Sequence, residues 1–224
     1  AAGQFQEAPP PEEEAWPVAR PAAPPRRGPA GRCGDVIARA CRARPRDACR
    51  APSQAGSRRG FQEGMEDQYD MTLRYGLKVE DKERIVRMFN ESAWIRKLPP
   101  LRDAIKYVRK LHEEQGYVFR VISSLSDCYY SQHLRTKNLI EMFGPSVFEN
   151  FVYLDTGADK DDALEQYRGT GCFWVEDKPQ NADLGSELGL EAILVNHHHN
   201  ENVEINPATT RVNNWKEIYE LIAG

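Results

Sequence analysis

The sequence predicts an α/β fold, a parallel sheet with helices on both faces, and three observations carry that prediction. Short apolar runs alternate with longer segments whose apolar residues recur at helical spacing across residues 101–222. Each run is apolar on both faces, as strands sandwiched between helix layers are. Finally, Cys172-Phe173-Trp174-Val175 runs straight into Glu176-Asp177 before the chain turns at Lys178-Pro179. That pattern delivers carboxylates to the carboxyl edge of a sheet, where α/β ligands sit.

The first sixty residues are a different polymer from the rest. The chain of 224 residues carries a net charge of −4, but residues 1–60 hold 11 Arg, no Lys and 6 acids, a net of +5, which leaves −9 for the remainder. Residues 1–60 contain no Leu, Met or Tyr, and ten of the 15 prolines. Their only large apolar residues are Phe5, Trp16, Val18, Val36 and Ile37. So little apolar surface does not offset the entropy of ordering the segment, and residues 1–59 are expected to form a disordered Arg/Pro/Ala-rich extension, with a short helical fragment near residues 35–44. Cys33, Cys41 and Cys49 recur every eight residues without a His or a Cys-x-x-Cys pair, a spacing expected of biased sequence rather than of a metal site. The Arg-rich run over residues 39–50 is expected to be a solvated basic tail, with nucleic acid not its partner. No stretch has the ~18 consecutive apolar residues of a membrane span, and no apolar signal-peptide core opens the sequence. Five cysteines in irregular settings fit a reducing compartment. A cytoplasmic protein without a membrane partner is the expectation.

From residue 60 the elements follow in order. Phe61, Met65, Tyr69 and Leu73, then Ile85, Val86, Phe89 and Ala93, have helical spacing and predict a small helical cap over residues 60–98. Pro99-Pro100 breaks the chain and opens a helix over 101–114, with Leu101, Ile105, Val108 and Leu111 on one face and Gly116 closing it. Residues 117–122 read as a strand, stopped by Ser123-Ser124. A helix over 127–143 closes at Gly144-Pro145, and a strand over 151–154 follows. After Asp159-Lys160-Asp161-Asp162 come a helix over 163–168 and a Gly169-Thr170-Gly171 turn into the strand that ends at Glu176-Asp177. A helix over 181–188, a last clear strand over 192–195 and a helix over 215–222 complete the core, residues 99–224.

The residues just past successive strand ends are Ser123-Ser124, then Lys160 a few residues into a loop, then Glu176-Asp177. Singly each has an ordinary reading: a helix-capping hydroxyl, a solvated lysine, acids facing water. Jointly, a hydroxyl, an ammonium and a carboxylate pair at one edge are what holding a phosphoryl group and a hard cation such as Mg²⁺ requires.

On these motifs, residues from about 61 onward resemble haloacid-dehalogenase-like hydrolases, closest to the 5'(3')-deoxyribonucleotidase-like phosphatases. The matching pieces are the apolar strand ending in Val121-Ile122-Ser123, Lys160 ahead of a helix, and Glu176-Asp177 after a strand. The resemblance implies a Rossmann-like core with the helical cap selecting substrate, and a Mg²⁺-dependent phosphomonoesterase acting on a nucleotide-like small phosphate. It implies that Ser123 (with Ser124) and Lys160 bind the phosphoryl group, Lys160 also steadying the nucleophile, and that Asp177 with Glu176 holds Mg²⁺. Residues 196–215 resemble nucleotidase-like carboxyl ends less specifically.

One part of the family pattern is missing. An apolar strand ending Asp-x-Asp should precede the cap and supply the nucleophile, yet the sequence before Gly60 reads Pro52-Ser53-Gln54-Ala55-Gly56-Ser57-Arg58-Arg59. Asp35-Val36-Ile37-Ala38 is faintly strand-like, with its acid at the wrong end. The expectation is therefore a core that lacks its central strand and a chain with little or no turnover. A fusion, fragment or misread frame is the expected origin of residues 1–59, testable by reading all frames of the encoding nucleotide sequence. Alternatives from other classes are a non-catalytic phosphate- or nucleotide-binding module and a nucleic-acid-associated protein working through its Arg-rich tail. His197-His198-His199 is expected to be a polar rim loop, since three consecutive His cannot face one ion from extended backbone. Cys128 and Cys172 are assigned no chemistry, and Trp94 and Trp174 are expected to be packing residues.

Overall fold

Four residues near the start of the chain, Asp35–Ala38 (β1), hydrogen-bond on both sides to strands that come far later in the sequence. In the computed structural model, which describes residues 35–38 and 69–224, β1 lies at the centre of a six-stranded, all-parallel sheet. Its companions are Val118–Ser124 (β2), Phe148–Leu154 (β3), Phe173–Glu176 (β4), Glu191–Val195 (β5) and Thr210–Val212 (β6), in the order β3-β2-β1-β4-β5-β6. The expectation of a core without its central strand is corrected here, as is that of helix over residues 35–38, the rest of the fragment expected near 35–44 lying outside the described residues. Without β1, the facing edges of β2 and β4 would each bury a row of unpaired backbone groups. The expected disorder of residues 1–59 otherwise lies outside the described residues, as does the first part of the expected cap helix, residues 61–68.

The inner strands β2, β4 and β5 are largely buried on both faces, and their side chains alternate between two cores. Phe119, Val121, Val175, Ile193, Val195 and Val212 pack on one face. They meet Ala104–Gln115 (α3), Tyr129–Phe143 (α4) and Trp215–Ala223 (α7) through Val108, Leu111, Leu139, Phe143, Trp215 and Ile218. Ile122, Trp174 and Ala192 point the other way, onto Leu164 of Asp161–Glu165 (α5) and Leu184 of Pro179–Glu187 (α6). Burial of both faces is why these inner strands read as continuous apolar runs. Trp174 sits under α6 because Gly185 makes room for it: a Cβ at Gly185 would lie 2.3 Å from Trp174 Cδ1.

Element ends follow local chemistry. α3 stops at Gly116, whose φ of +75° sends its N–H back to the His112 carbonyl. α7 starts at Asn214, whose side chain accepts from Glu217 N at 3.0 Å, while Asp103 accepts from Trp215 N and Lys216 N and ties the starts of α3 and α7 together. β6 has no counterpart in the sequence reading, because three residues show no period. β3 starts three residues ahead of the expected 151, with Glu149 and Asn150 exposed along the sheet edge.

The helices before Pro99 are Met71–Tyr75 (α1) and Val79–Asn90 (α2), followed by a 3₁₀ turn at Ala93–Lys97. α2 is pinned to the residues directly after β2 and β3. Arg87 forms a two-pronged pair with Asp155, both bonds 3.1 Å, and Asn90 Nδ2 donates to the Leu125 carbonyl at 2.6 Å. Ser126 Oγ donates to Glu91 at 2.8 Å. Beneath these contacts Ile95 and Leu98 pack on Leu125 and Leu134. Among the described residues no helix is long and apolar enough to cross a membrane.

Candidate functional site

Register sets the site. Ala38 is level with Val121 on one side and Val175 on the other. Ser123 and Asp177 therefore stand the same distance up the sheet, two residues beyond that row, on the strands flanking β1. Two strand spacings separate those strands, about 10 Å, a gap that two side chains and a phosphate-sized group can span. The sequence after Ala38 continues Arg39-Ala40-Cys41-Arg42, with no carboxylate.

Ser123 is 8% exposed at the end of β2, on the face of Phe119 and Val121. Ser124 points to the opposite face, where its hydroxyl donates to the Ala158 carbonyl at 2.8 Å. That bond fastens the end of β2 to the loop that carries Lys160. Lys160 is the N-cap residue of α5 and is only 1% exposed. Its ammonium contacts Glu176 Oε1 directly and lies 4.9 Å from the centre of the Trp174 ring. A lysine buried this far needs such partners, because desolvating a lone ammonium is expensive.

Glu176, also 1% exposed, has both oxygens engaged. Oε1 receives Lys160 and Asn181 Nδ2, the latter at 2.8 Å; Oε2 accepts from the backbone N–H groups of Asp177 and Lys178 at 2.8 and 3.1 Å. A carboxylate has about four lone-pair directions, and here each is matched by a donor. Glu176 thus shapes the β4 turn and holds Lys160, and it does not fit a metal ligand. Asp177, next in the chain, is half-buried, and its carbonyl accepts from Asn200 Nδ2 at 2.8 Å. Among the described residues no group of three or more His, Cys, Asp or Glu is placed to hold a metal ion. The donor set there does not fit a Mg²⁺ site built from the Glu176-Asp177 pair.

The structure thus brings Lys160 and Glu176 into contact with Asp177 adjoining, while Ser123 ends β2 on the opposite face of the sheet and touches none of them among the contacts described. Sequence reasoning missed the supporting asparagines. Asn181 stands in the first turn of α6, and its position five residues after Glu176 is the one available signal. Asn200, fully buried, ties Asp177 to the Val195 carbonyl from a loop without periodicity. The three histidines enter a turn, closed by the Asn200 N–H on the His197 carbonyl at 3.0 Å, where the sequence argument assumed extended backbone. His197 and His199 stack with ring centres 5.4 Å apart, His199 also meets Tyr69 at 4.9 Å, and His198 turns outward toward Glu201. A separate cleft of about 550 Å³, lined by Arg120, Glu149, Asn150, Tyr167 and Thr170, lies away from this edge, beside the amino-terminal halves of β2 and β3.

No protein-family model matches the chain. No curated protein matches it either. Solved structures to which it is similar include a dehalogenase and a dehalogenase with an intermediate complex. Each shares 16% identity over 68% of both chains at a TM-score of 0.45. A likeness of that size carries no argument about activity, and the α/β fold rests on the strand order and register described above.

Proposed function

We propose that this chain binds the phosphate group of a small phosphate ester, a nucleotide among them, at the carboxyl edge of its sheet, with little or no turnover. The reading takes the chain as haloacid-dehalogenase-like in ancestry, on the motifs ending at Ser123, Lys160 and Asp177. The feature that supports it best is the register, which puts Ser123 and Asp177 level with each other, two residues past the Ala38 row on the strands flanking β1, with the Lys160–Glu176 pair at the end of β4. Ser123 offers a hydroxyl to the phosphoryl oxygens. Lys160 supplies positive charge whose direction Glu176 and Trp174 fix. The absence of a carboxylate after Ala38 argues for binding over catalysis, since aspartyl nucleophiles in this kind of hydrolase stand at that position.

The test is calorimetric titration with inorganic phosphate and with a deoxynucleoside monophosphate, each with and without Mg²⁺, alongside an assay for released phosphate. We expect saturable binding that Ser123→Ala weakens about tenfold, the size of one hydrogen bond to a charged group, and no release. Phosphate release abolished by Asp177→Ala would instead make the chain an active phosphatase. No binding of either ligand would sink the reading.

A further inference from the structure

One charged residue interrupts the apolar run of β2. Arg120 stands among Val118, Phe119, Val121 and Ile122, and its side chain is 24% exposed. An inner parallel strand is ordinarily apolar on both faces, because a guanidinium taken out of water there needs partners. By the alternation of side chains Arg120 shares the face of Ile122, where its guanidinium carbon lies 5.7 Å from the centre of the Tyr167 ring. It also pairs with Glu149 of β3 at 2.6 Å. Both residues line the cleft of about 550 Å³ beside the amino-terminal halves of β2 and β3, a volume in the range of small-molecule sites.

A second observation is independent of the charge. The register of β2 and β3 slips at this point: Phe119 is level with Phe148 but Arg120 with Asn150, so Glu149 is one residue more than the pairing needs. Such an insertion is uncommon between parallel strands, and it re-aims a side chain. Here the extra residue brings a carboxylate to Arg120, on a strand with no further strand beside it among the described residues. Asn150 follows, and its Oδ1 accepts from Phe151 N at 2.8 Å, which leaves the amide nitrogen as a donor for the cleft. Gln166, the C-cap residue of α5, donates its Nε2 to the Ala163 carbonyl at 3.0 Å, which leaves its oxygen as an acceptor. The cleft therefore offers a cation and an amide donor, level with each other in the sheet, together with a carboxylate and an amide acceptor.

We propose that this cleft binds a free α-amino acid as its zwitterion, the carboxylate on Arg120 and Asn150 and the ammonium on Glu149 and Gln166. The planar guanidinium fork suits a carboxylate, which it holds by two parallel hydrogen bonds. With side chains 24% and 51% exposed, the Arg120–Glu149 pair contributes little to stability, so it opens to a zwitterion at little cost. Each charge then exchanges one partner for another of the same sign. A plain anion or a plain cation would serve one member of the pair and strand the other. Tyr167 and Cys172, 7% and 1% exposed, form a floor for the side chain of the ligand. This inference does not depend on phosphate binding, since the phosphate edge lies at the other end of the strands.

The test screens the common L-amino acids against the full chain by ligand-observed NMR and follows each hit by calorimetric titration, beside its N-acetyl and its carboxamide derivative. We expect at least one amino acid to bind saturably. Each blocked derivative keeps only one of the two charges and is expected to bind at least about tenfold more weakly, the size of one hydrogen bond to a charged group. Glu149→Gln is expected to weaken binding about tenfold and Asn150→Ala about threefold. No saturable binding of any amino acid, or blocked derivatives that bind as tightly as the parent, would overturn the proposal. So would a hit whose affinity Glu149→Gln leaves unchanged, since that ligand sits elsewhere. Glu149 and Asn150 are exposed, so the outcome does not rely on removing Arg120 from the sheet.

Discussion

Two ion pairs hold residues near the carboxyl edge of the sheet, and they differ in almost everything but chemistry. Lys160 and Glu176 have side chains 1% and 0% exposed, while Arg87 and Asp155 are 48% and 40% exposed. The buried pair is completed by Asn181, two backbone N–H groups and the face of Trp174. The exposed pair has geometry of the same quality, two parallel bonds of 3.1 Å, but water competes for every one of its donors. The lesson is that the desolvated pair fixes a geometry and tolerates no missing partner, whereas the solvated pair contributes little beyond aiming α2 at the end of β3.

Breaking the buried pair should have the largest effect. Glu176→Ala leaves Lys160 without its counter-charge and is expected to cost about 3–5 kcal/mol of stability, read from urea unfolding. Replacing both partners, as in Lys160→Met with Glu176→Leu, is expected to recover much of that loss while abolishing phosphate binding. Recovery of binding along with stability would show that the pair serves the fold alone. A smaller effect comes from the packing beneath the pair. Gly185→Ala drives a Cβ into Trp174 and is expected to cost about 1–3 kcal/mol, with the tryptophan emission shifted.

Smallest of all is the exposed pair. Arg87→Ala should lower the melting temperature only slightly, and the difference should vanish in high salt. The hydrogen bonds from Arg87 hold the Asp155 carboxyl below its ordinary 3.8. A carboxyl lowered in the folded state contributes stability above its unfolded value, and that contribution is lost as pH falls through the folded value. The gap between the unaltered chain and Asp155→Asn in urea midpoint should therefore be present at pH 6 and shrink below about pH 3.8. A gap that widens in acid would contradict the assignment.

Much of the fold was legible because burial on both faces writes itself into sequence. The runs ending at Ile122, Val175 and Val195 contain almost nothing but apolar residues, and Gly116, Gly144 and Gly189 mark helix ends. β1 was not legible. Four residues, only two of them β-branched, sit in a segment whose composition argues against order, and what makes them a strand is the unfilled hydrogen-bonding edge of β2 and β4, a tertiary cause. At the site, Lys160 and Glu176 could be picked out by their positions past strand ends. What each does could not, since the saturation of Glu176 depends on Asn181 and on backbone N–H groups that a turn brings round. Asn200 carried no signal at all, because a loop residue bonding two carbonyls leaves no periodic trace.

The position of β1 has a consequence for how the chain can be divided. Its neighbours in the sheet begin some eighty and more than one hundred and thirty residues downstream, at Val118 and Phe173. A fragment starting after Ala38 would keep every other described strand and helix yet display two open backbone edges facing each other across an empty slot. Such a fragment should recruit the first suitable extended segment it meets, a second copy of itself included, and a short synthetic peptide bearing Asp35–Ala38 supplied in trans should compete for the place.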